Sequence, residues 1–139
     1  MLRAPLYGLR LSLLVGLGSA IGALMRGGLS EAMHYLGSDS RLLATGLANV
    51  SGSFLIAWIA ARPVAPGGLL ARSDLRLFLL TGFCGGYTTL SLFSLDTVLL
   101  ALGGAHGAAL LHSGVSATLW LLAAAAGWRL GRGSEAHAP

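Results

Sequence analysis

The sequence predicts an all-α membrane protein with four transmembrane helices, the third of which is broken near its middle. The prediction depends on the composition, the positions of the charges and one polar stretch inside an apolar span. Hydrophobic residues make up 55% of the 139 residues and charged residues only 10%, and the mean hydropathy is +0.75. A chain of this composition has too little polar surface to coat a water-soluble globule.

Charged residues mark the ends of the predicted spans, because a charge at the centre of a bilayer costs at least about 2.5 to 3.5 kcal/mol. Fifteen uncharged residues separate Arg10 from Arg26, and twenty separate Arg41 from Arg62. Twenty residues are about the number that a helix needs to cross the hydrocarbon core. The predicted helices cover residues 6–26, 42–61, 76–102 and 107–129.

The connections between these helices are too short to hold a second domain. Residues 1–132 are predicted to form one transmembrane domain, with linkers at 27–40 and 63–73, and residues 133–139 a flexible C-terminal tail. No signal-peptide cleavage site follows the first helix, which is therefore expected to be retained as a span.

The net charge of +4 does not indicate a nucleic-acid partner, because the arginines flank the spans and form no basic face. Two arginines, Arg26 and Arg41, fall on one side of the predicted bundle. Seven fall on the other side, which predicts that both termini are cytoplasmic. These seven are Arg3, Arg10, Arg62, Arg72, Arg76, Arg129 and Arg132.

The polar stretch is TGFCGGYTTLSLFSLD, residues 81–96, inside the third predicted span. Glycines at 82, 85 and 86 weaken a helix where no water can satisfy freed backbone groups. Broken spans of this kind mark ion sites in transport proteins: exposed carbonyls can bind a cation, and hydroxyls can donate to an anion. The alternative is a kinked, packed helix whose Ser and Thr hydroxyls bond to its own carbonyls. The hydroxyls belong to Thr88, Thr89, Ser91 and Ser94.

Two further helices carry polar residues at intervals of four, which places them on one face. In helix two these are Thr45, Asn49 and Ser53, and Asn49 either joins helices or lines a path. In helix four, His112 and Ser116 can extend a polar track, whereas Trp120 is expected to pack.

Four thin helices cannot enclose much space, so a transport path is expected to be shared between subunits. The small residues Gly16, Gly18, Ser19 and Gly22 allow helices to approach closely, either between subunits or within the chain. The single cysteine, Cys84, is expected to be a small buried side chain.

Three strings together resemble the CrcB/Fluc fluoride channel family: GSAIGALMRGGLS (18–30), ATGLANVSGSF (44–54) and GFCGGYTTLSLFSLD (82–96). The resemblance covers all four predicted helices in order and spacing. It implies a four-helix subunit that pairs antiparallel with a second copy to make two narrow pores. It also implies a structural sodium ion on the dimer axis, held by the backbone carbonyls of Gly85 and Thr88.

The same resemblance places several residues in the fluoride pore. Asn49 and Thr45 match pore-lining positions of helix two, Arg26 matches the arginine that ends helix one, and Phe93 matches the second of two pore phenylalanines. Fluoride is small and strongly hydrated, so a dry pore must replace its water with hydroxyls, an amide N–H and the positive edge of an aromatic ring. The other predicted pore residues are Leu90, Thr89, Ser91, Ser94, Ser116, His112 and Asp96.

Asp96 raises its own question, because a carboxylate repels an anion unless it is protonated or accepts hydrogen bonds. We expect it to orient Ser and Thr hydroxyls toward the pore. The alternative is a charge at a helix end that reaches the membrane interface.

The predicted function is passive, fluoride-selective export from the cytoplasm across the inner membrane of a prokaryote. Nothing in the sequence has the pattern of an enzyme site, and helix one lacks the carboxylate that a small multidrug exchanger would need. Two departures from the family pattern favour an alternative. Leu90 replaces the first pore phenylalanine. The arginines are divided seven to two between the two sides of the membrane, whereas a sequence that inserts in both orientations needs similar numbers on each side. The chain would then be one subunit of a heterodimeric channel, or a non-conducting structural subunit.

Overall fold

The computed structural model describes residues 3–37, 41–63, 70 and 72–133, with the backbone alone for residues 3–6. Every regular element in these ranges is a helix. In chain order they are α1 (Arg3–Tyr35), α2 (Arg41–Ala61), α3 (Ser73–Leu77), a π-helical segment (Phe78–Cys84), α4 (Gly85–Tyr87), α5 (Leu90–Leu102) and α6 (His106–Arg132).

Four stretches are long and apolar enough to cross a membrane: Tyr7–Tyr35, Arg41–Ala61, Ser73–Leu102 and His106–Arg132. The third, which we call the third span, contains all the elements from α3 to α5. The prediction of an all-α chain with four spans and a bent third helix is therefore confirmed.

Helix α1 runs well past residue 26, where the charge pattern placed its end. Arg26 ends the apolar pattern, but the backbone has no reason to leave the helix there. The helix stops just before Gly37, whose φ of +78° is the left-handed conformation that commonly terminates helices at glycine. Residues 38–40, most of the predicted linker at 63–73 and all of the predicted tail after Gly133 lie outside the described residues.

Helix α1 packs against the first half of the third span, from α3 to α4, and glycines on both sides bring the two backbones together. A Cβ on Gly18 would lie 2.6 Å from the carbonyl oxygen of Phe78. A Cβ on Gly22 would collide with the carbonyl of Phe83, and one on Gly86 with the carbonyl of Ser19. This part of the small-residue run therefore packs within the chain.

Helices α2 and α6 form the second close pair, again through glycines. A Cβ on Gly131 would lie 2.6 Å from the carbonyl oxygen of Trp58, and one on Gly127 would collide with the carbonyl of Phe54. Small residues allow such contacts where lipid removes the hydrophobic drive between helices.

The third span breaks at Thr88 and Thr89, whose backbones are extended, with φ and ψ of −82° and 158°, and of −150° and 118°. The sequence placed the weakness at the glycines before this point, but Gly82, Gly85 and Gly86 are all helical. Gly82 and Gly86 contact α1, so close packing explains them better than flexibility does. The π-helical turns just before the break are a rare conformation that often occurs at functional sites.

Candidate functional site

The side chain of Asn49 stabilises the extended backbone at the break in the third span. Its Oδ1 accepts from the Thr89 N–H at 2.7 Å, and its Nδ2 donates to the Thr89 carbonyl at 2.9 Å. Asn49 is only 5% exposed, so both bonds form away from water, where an unpaired backbone group would cost about 1 to 3 kcal/mol. Asn49 therefore joins α2 to the third span, and it still has one Nδ2 hydrogen with no acceptor among the described residues.

The break frees two backbone carbonyls from their usual helical donors. In a continuous helix the Thr89 N–H would donate to the carbonyl of Gly85, but here it donates to Asn49. The Leu92 N–H would donate to the carbonyl of Thr88, but it points to Thr89 Oγ1 at 3.3 Å, an N-cap contact for α5. The Gly85 and Thr88 carbonyls can therefore accept other partners.

A partly open cavity of about 240 Å³ lies beside the break, between α2 and α6. Five of the predicted site residues line it: Asn49, Gly85, Thr88, Thr89 and Leu90. Its other lining residues are Gly52, Ser53, Ile56, Cys84 and Trp120. Cys84 is buried, as expected from the sequence.

An aromatic cluster lies where α5 meets α6. The Phe93 ring packs edge-on against Trp120, with centroids 4.8 Å apart and planes at 72°, and its centroid lies 5.1 Å from that of His112. His112 Nε2 and Trp120 Nε1 are both buried without a hydrogen-bond partner among the described residues. Ser116 lies between them on the same face of α6 and is also buried.

Asp96 forms an ion pair with Arg41, the first residue of α2. Asp96 is 3% exposed, and its Oδ1 accepts from Arg41 Nε at 2.7 Å and contacts Nη2 at 2.6 Å. Its Oδ2 is buried with no partner among the described residues. Within these residues, the partner of Asp96 is therefore a guanidinium, where the sequence analysis expected Ser and Thr hydroxyls.

The remaining predicted pore residues do not line the cavity. Thr45 is buried one turn before Asn49 on α2. Ser91 Oγ lies 3.0 Å from Thr89 Oγ1 on an exposed surface, and Ser94 is exposed on the same helix. Arg26 lies on α1 with its Nε buried and unpaired within the described part of the chain.

Sequence reasoning missed two residues of this region. Arg41 was treated as a topology signal, and Trp120 as a packing residue. The interval of four shared by His112, Ser116 and Trp120 pointed to Trp120, because it placed all three on one face. No signal in the sequence pointed to the pairing of Arg41 with a residue 55 positions away.

Comparison with known proteins identifies the family. Residues 13–128 match the family described as CrcB-like protein, Camphor Resistance (CrcB). A protein of Rhodopseudomonas palustris named fluoride-specific ion channel FluC 1 is 44% identical over 122 residues, which cover 87% of this chain and 82% of that protein. The fluoride-specific ion channel FluC of one Thermus thermophilus strain is 41% identical, over 86% of this chain and 91% of its own length.

A third relative, the fluoride-specific ion channel FluC of Beijerinckia indica, is 41% identical over 81% of this chain and 89% of its own length. The matched residues extend from α1 to α6, so they include all four spans and the break. The resemblance that the three sequence strings predicted is confirmed, and the chain belongs to the CrcB family.

Proposed function

We propose that this protein is a passive, fluoride-selective channel that exports fluoride from the cytoplasm. The observation that carries the proposal is the broken third span, which places hydrogen-bond donors around a cavity in a chain whose relatives are named fluoride-specific ion channels. The protein is a multi-pass membrane protein and not an enzyme. Because these relatives are bacterial, the inner membrane of a prokaryote is the proposed location.

The cavity suits a small, strongly hydrated anion. A dry site can accept fluoride only if protein donors replace its water, and Asn49 has an N–H left after it has bonded to Thr89. Phe93 does not line the cavity itself but packs against Trp120, which does. The donors are ordered by bonds within the protein, so little reorganisation is needed when the ion arrives.

The exposed polar groups around the break support the proposal that a second subunit covers this face. Ser51 Oγ and Tyr87 Oη lie 3.0 Å apart on an exposed surface, and so do the hydroxyls of Thr89 and Ser91. Lipid tails offer such groups no hydrogen bonds. A partner copy that covers this face would remove them from lipid and complete two pores, and the family resemblance supports an antiparallel arrangement of that copy.

A structural sodium ion fits the carbonyls of Gly85 and Thr88. Neither carbonyl receives its usual helical N–H, and a hard cation binds oxygen ligands of this kind. Gly85 is exposed, so its carbonyl can share an ion with a second subunit. Bound there, sodium would join the two subunits and would neutralise the oxygen dipoles at the break.

A heterodimer is the second candidate arrangement. The seven-to-two arginine bias favours one orientation in the membrane, and Leu90, 67% exposed, offers no ring edge. A related subunit with the opposite bias would then supply the antiparallel partner. Without conduction in either pairing, the chain would be a structural subunit.

Liposomes that contain this chain alone, loaded with potassium fluoride, test activity and self-sufficiency together. We expect fluoride efflux on a fluoride electrode and no chloride efflux from matched vesicles. If efflux is seen only after a related subunit is added, the conducting channel is a heterodimer and not a homodimer. Absence of fluoride efflux in both cases would refute the channel.

Asn49→Ala should reduce fluoride efflux at least about tenfold, because it removes a donor and two bonds to the break. The matched control is Thr118→Ala on α6, where the hydroxyl bonds back to the carbonyl of Gly114 at 2.8 Å on an exposed face. Normal efflux through folded Asn49→Ala protein would rule out this site.

A further inference from the structure

The indole N–H of Trp120 is a donor that the fold leaves without an acceptor. Its Nε1 is buried and unpaired among the described residues, although an indole nitrogen can only donate. Buried polar groups in native structures are nearly always paired, and one without a partner calls for an explanation such as an unseen water or ion. An acceptor from outside the chain would satisfy it.

Trp120 lies in the right place for such an acceptor to be the transported ion. It is the residue of α6 that lines the cavity, together with Asn49 of α2 and with Thr88 and Thr89 at the break. Its ring is also held edge-on against Phe93. One residue thus joins the cavity to the aromatic cluster.

The cavity has an aromatic lining residue although Leu90 offers none. Leu90 and Trp120 line the same cavity, so a ring from α6 is available in the cavity where the family resemblance implies a phenylalanine at position 90. A tryptophan offers more than that phenylalanine, because it combines a ring edge with a strong N–H donor.

We propose that Trp120 contacts fluoride in this channel, with its indole N–H donating to the ion in the cavity beside Asn49. This inference rests on the proposed fluoride function. Because the indole has no acceptor, the contact favours anions over cations. His112, on the other side of Phe93, has the same unpaired character at Nε2, but an imidazole nitrogen can also accept, so Trp120 is the more selective of the two.

Trp120→Phe removes the donor and keeps an aromatic ring at this position of α6. Because the phenyl ring is smaller than the indole, thermal unfolding is measured beside efflux to separate lost packing from the lost N–H. Since hydrogen bonds to charged groups contribute about 1.5 to 3 kcal/mol, fluoride efflux should fall roughly 10- to 100-fold. Trp128→Phe, at an exposed tryptophan of the same helix, should conduct like the parent.

The opposite result is equally clear. If Trp120 only packs, Trp120→Phe should conduct like the parent, and the smaller ring should change thermal stability alone. That outcome would overturn the inference and leave the channel intact. A parent protein that releases no fluoride would overturn both.

A direct measurement uses a chain in which Trp58 and Trp128 are changed to Phe, so that Trp120 is the sole tryptophan. Titration with sodium fluoride should change its emission, and equal sodium chloride should not. No fluoride-specific change in a double variant that still conducts would show that the ion does not meet this indole.

Discussion

The two halves of the third span are held in different ways. The first half, from α3 to α4, meets α1 through glycines that let backbone touch backbone. The second half, α5, packs mainly against α6 and is fixed by directional groups: the Asn49 amide, the Arg41–Asp96 ion pair and the rings around Phe93.

The difference shows how a membrane helix can be rigid and still present polar groups. Close contacts between glycine backbones depend mainly on shape, and in the first half they are supplemented by the Ser19–Gly82 hydrogen bond and the Arg10–Asp74 ion pair. Contacts through ions and rings leave donors and acceptors without a partner among the described residues, such as Asp96 Oδ2 and the Trp120 N–H. The break therefore separates a half that is held mainly by close backbone packing from a half that is held mainly by directional groups.

The largest expected loss of stability is at the contact between α1 and the first half of the third span. Gly22→Ala should lower the free energy of unfolding by about 3 kcal/mol, because the new methyl group collides with the backbone carbonyl of Phe83, which cannot rotate away. Thermal unfolding in detergent measures the change. Gly16→Ala on the same helix is the control, since its Cβ would have nothing within 4 Å. Equal stability of the two variants would refute packing by shape.

A smaller effect is expected at the ion pair of the second half. Arg41→Gln leaves the buried carboxylate of Asp96 unpaired, which should cost about 2 kcal/mol of stability and lower fluoride efflux roughly tenfold, because an uncompensated charge repels the anion. The measurements are thermal unfolding and electrode-detected efflux.

The double variant Arg41→Gln with Asp96→Asn decides the cause. With no charge left, both stability and efflux should recover. Arg10→Gln is the control, because its ion pair with Asp74 is solvent-exposed, and such pairs contribute about 0 to 1 kcal/mol. Failure of the double variant to recover would mean that the pair acts through more than charge.

The smallest expected effect is at the start of α5. Thr89→Ala removes the N-cap oxygen that faces the Leu92 N–H and should cost about 1 kcal/mol of stability. Thr89→Ser keeps the oxygen and should unfold like the parent. If the serine variant loses as much as the alanine variant, packing of the methyl group, and not the cap, holds the helix start.

Much of the fold could be predicted, because each relevant signal is local. Composition and charge spacing predicted four spans, and the polar stretch at residues 81–96 predicted the bend. The exact role of its glycines could not be predicted, since Gly82 and Gly86 matter through contacts with α1, more than sixty residues away. Glycine suggests flexibility in a sequence, but close approach of another helix gives it a packing role.

The candidate site could be predicted only in part. Asn49 was recognisable as a polar group in an apolar helix, but its partner Thr89 is 40 positions away. The pairing of Asp96 with Arg41 and the packing of Trp120 on Phe93 depend on which faces of α2, α5 and α6 meet. The helical period shows which residues of one helix share a face. It does not show how each helix is rotated about its axis, and that rotation decides which faces of neighbouring helices meet.

The sequence by itself determined that this chain crosses a membrane four times, because hydrocarbon disfavours charges and the few charges are spaced so that four apolar stretches are long enough to span it. It also determined which polar groups must find partners there. Only the tertiary structure decided which groups pair and which remain unused, because hydrogen bonds and ring contacts are directional and join residues that only the packing of helices brings together.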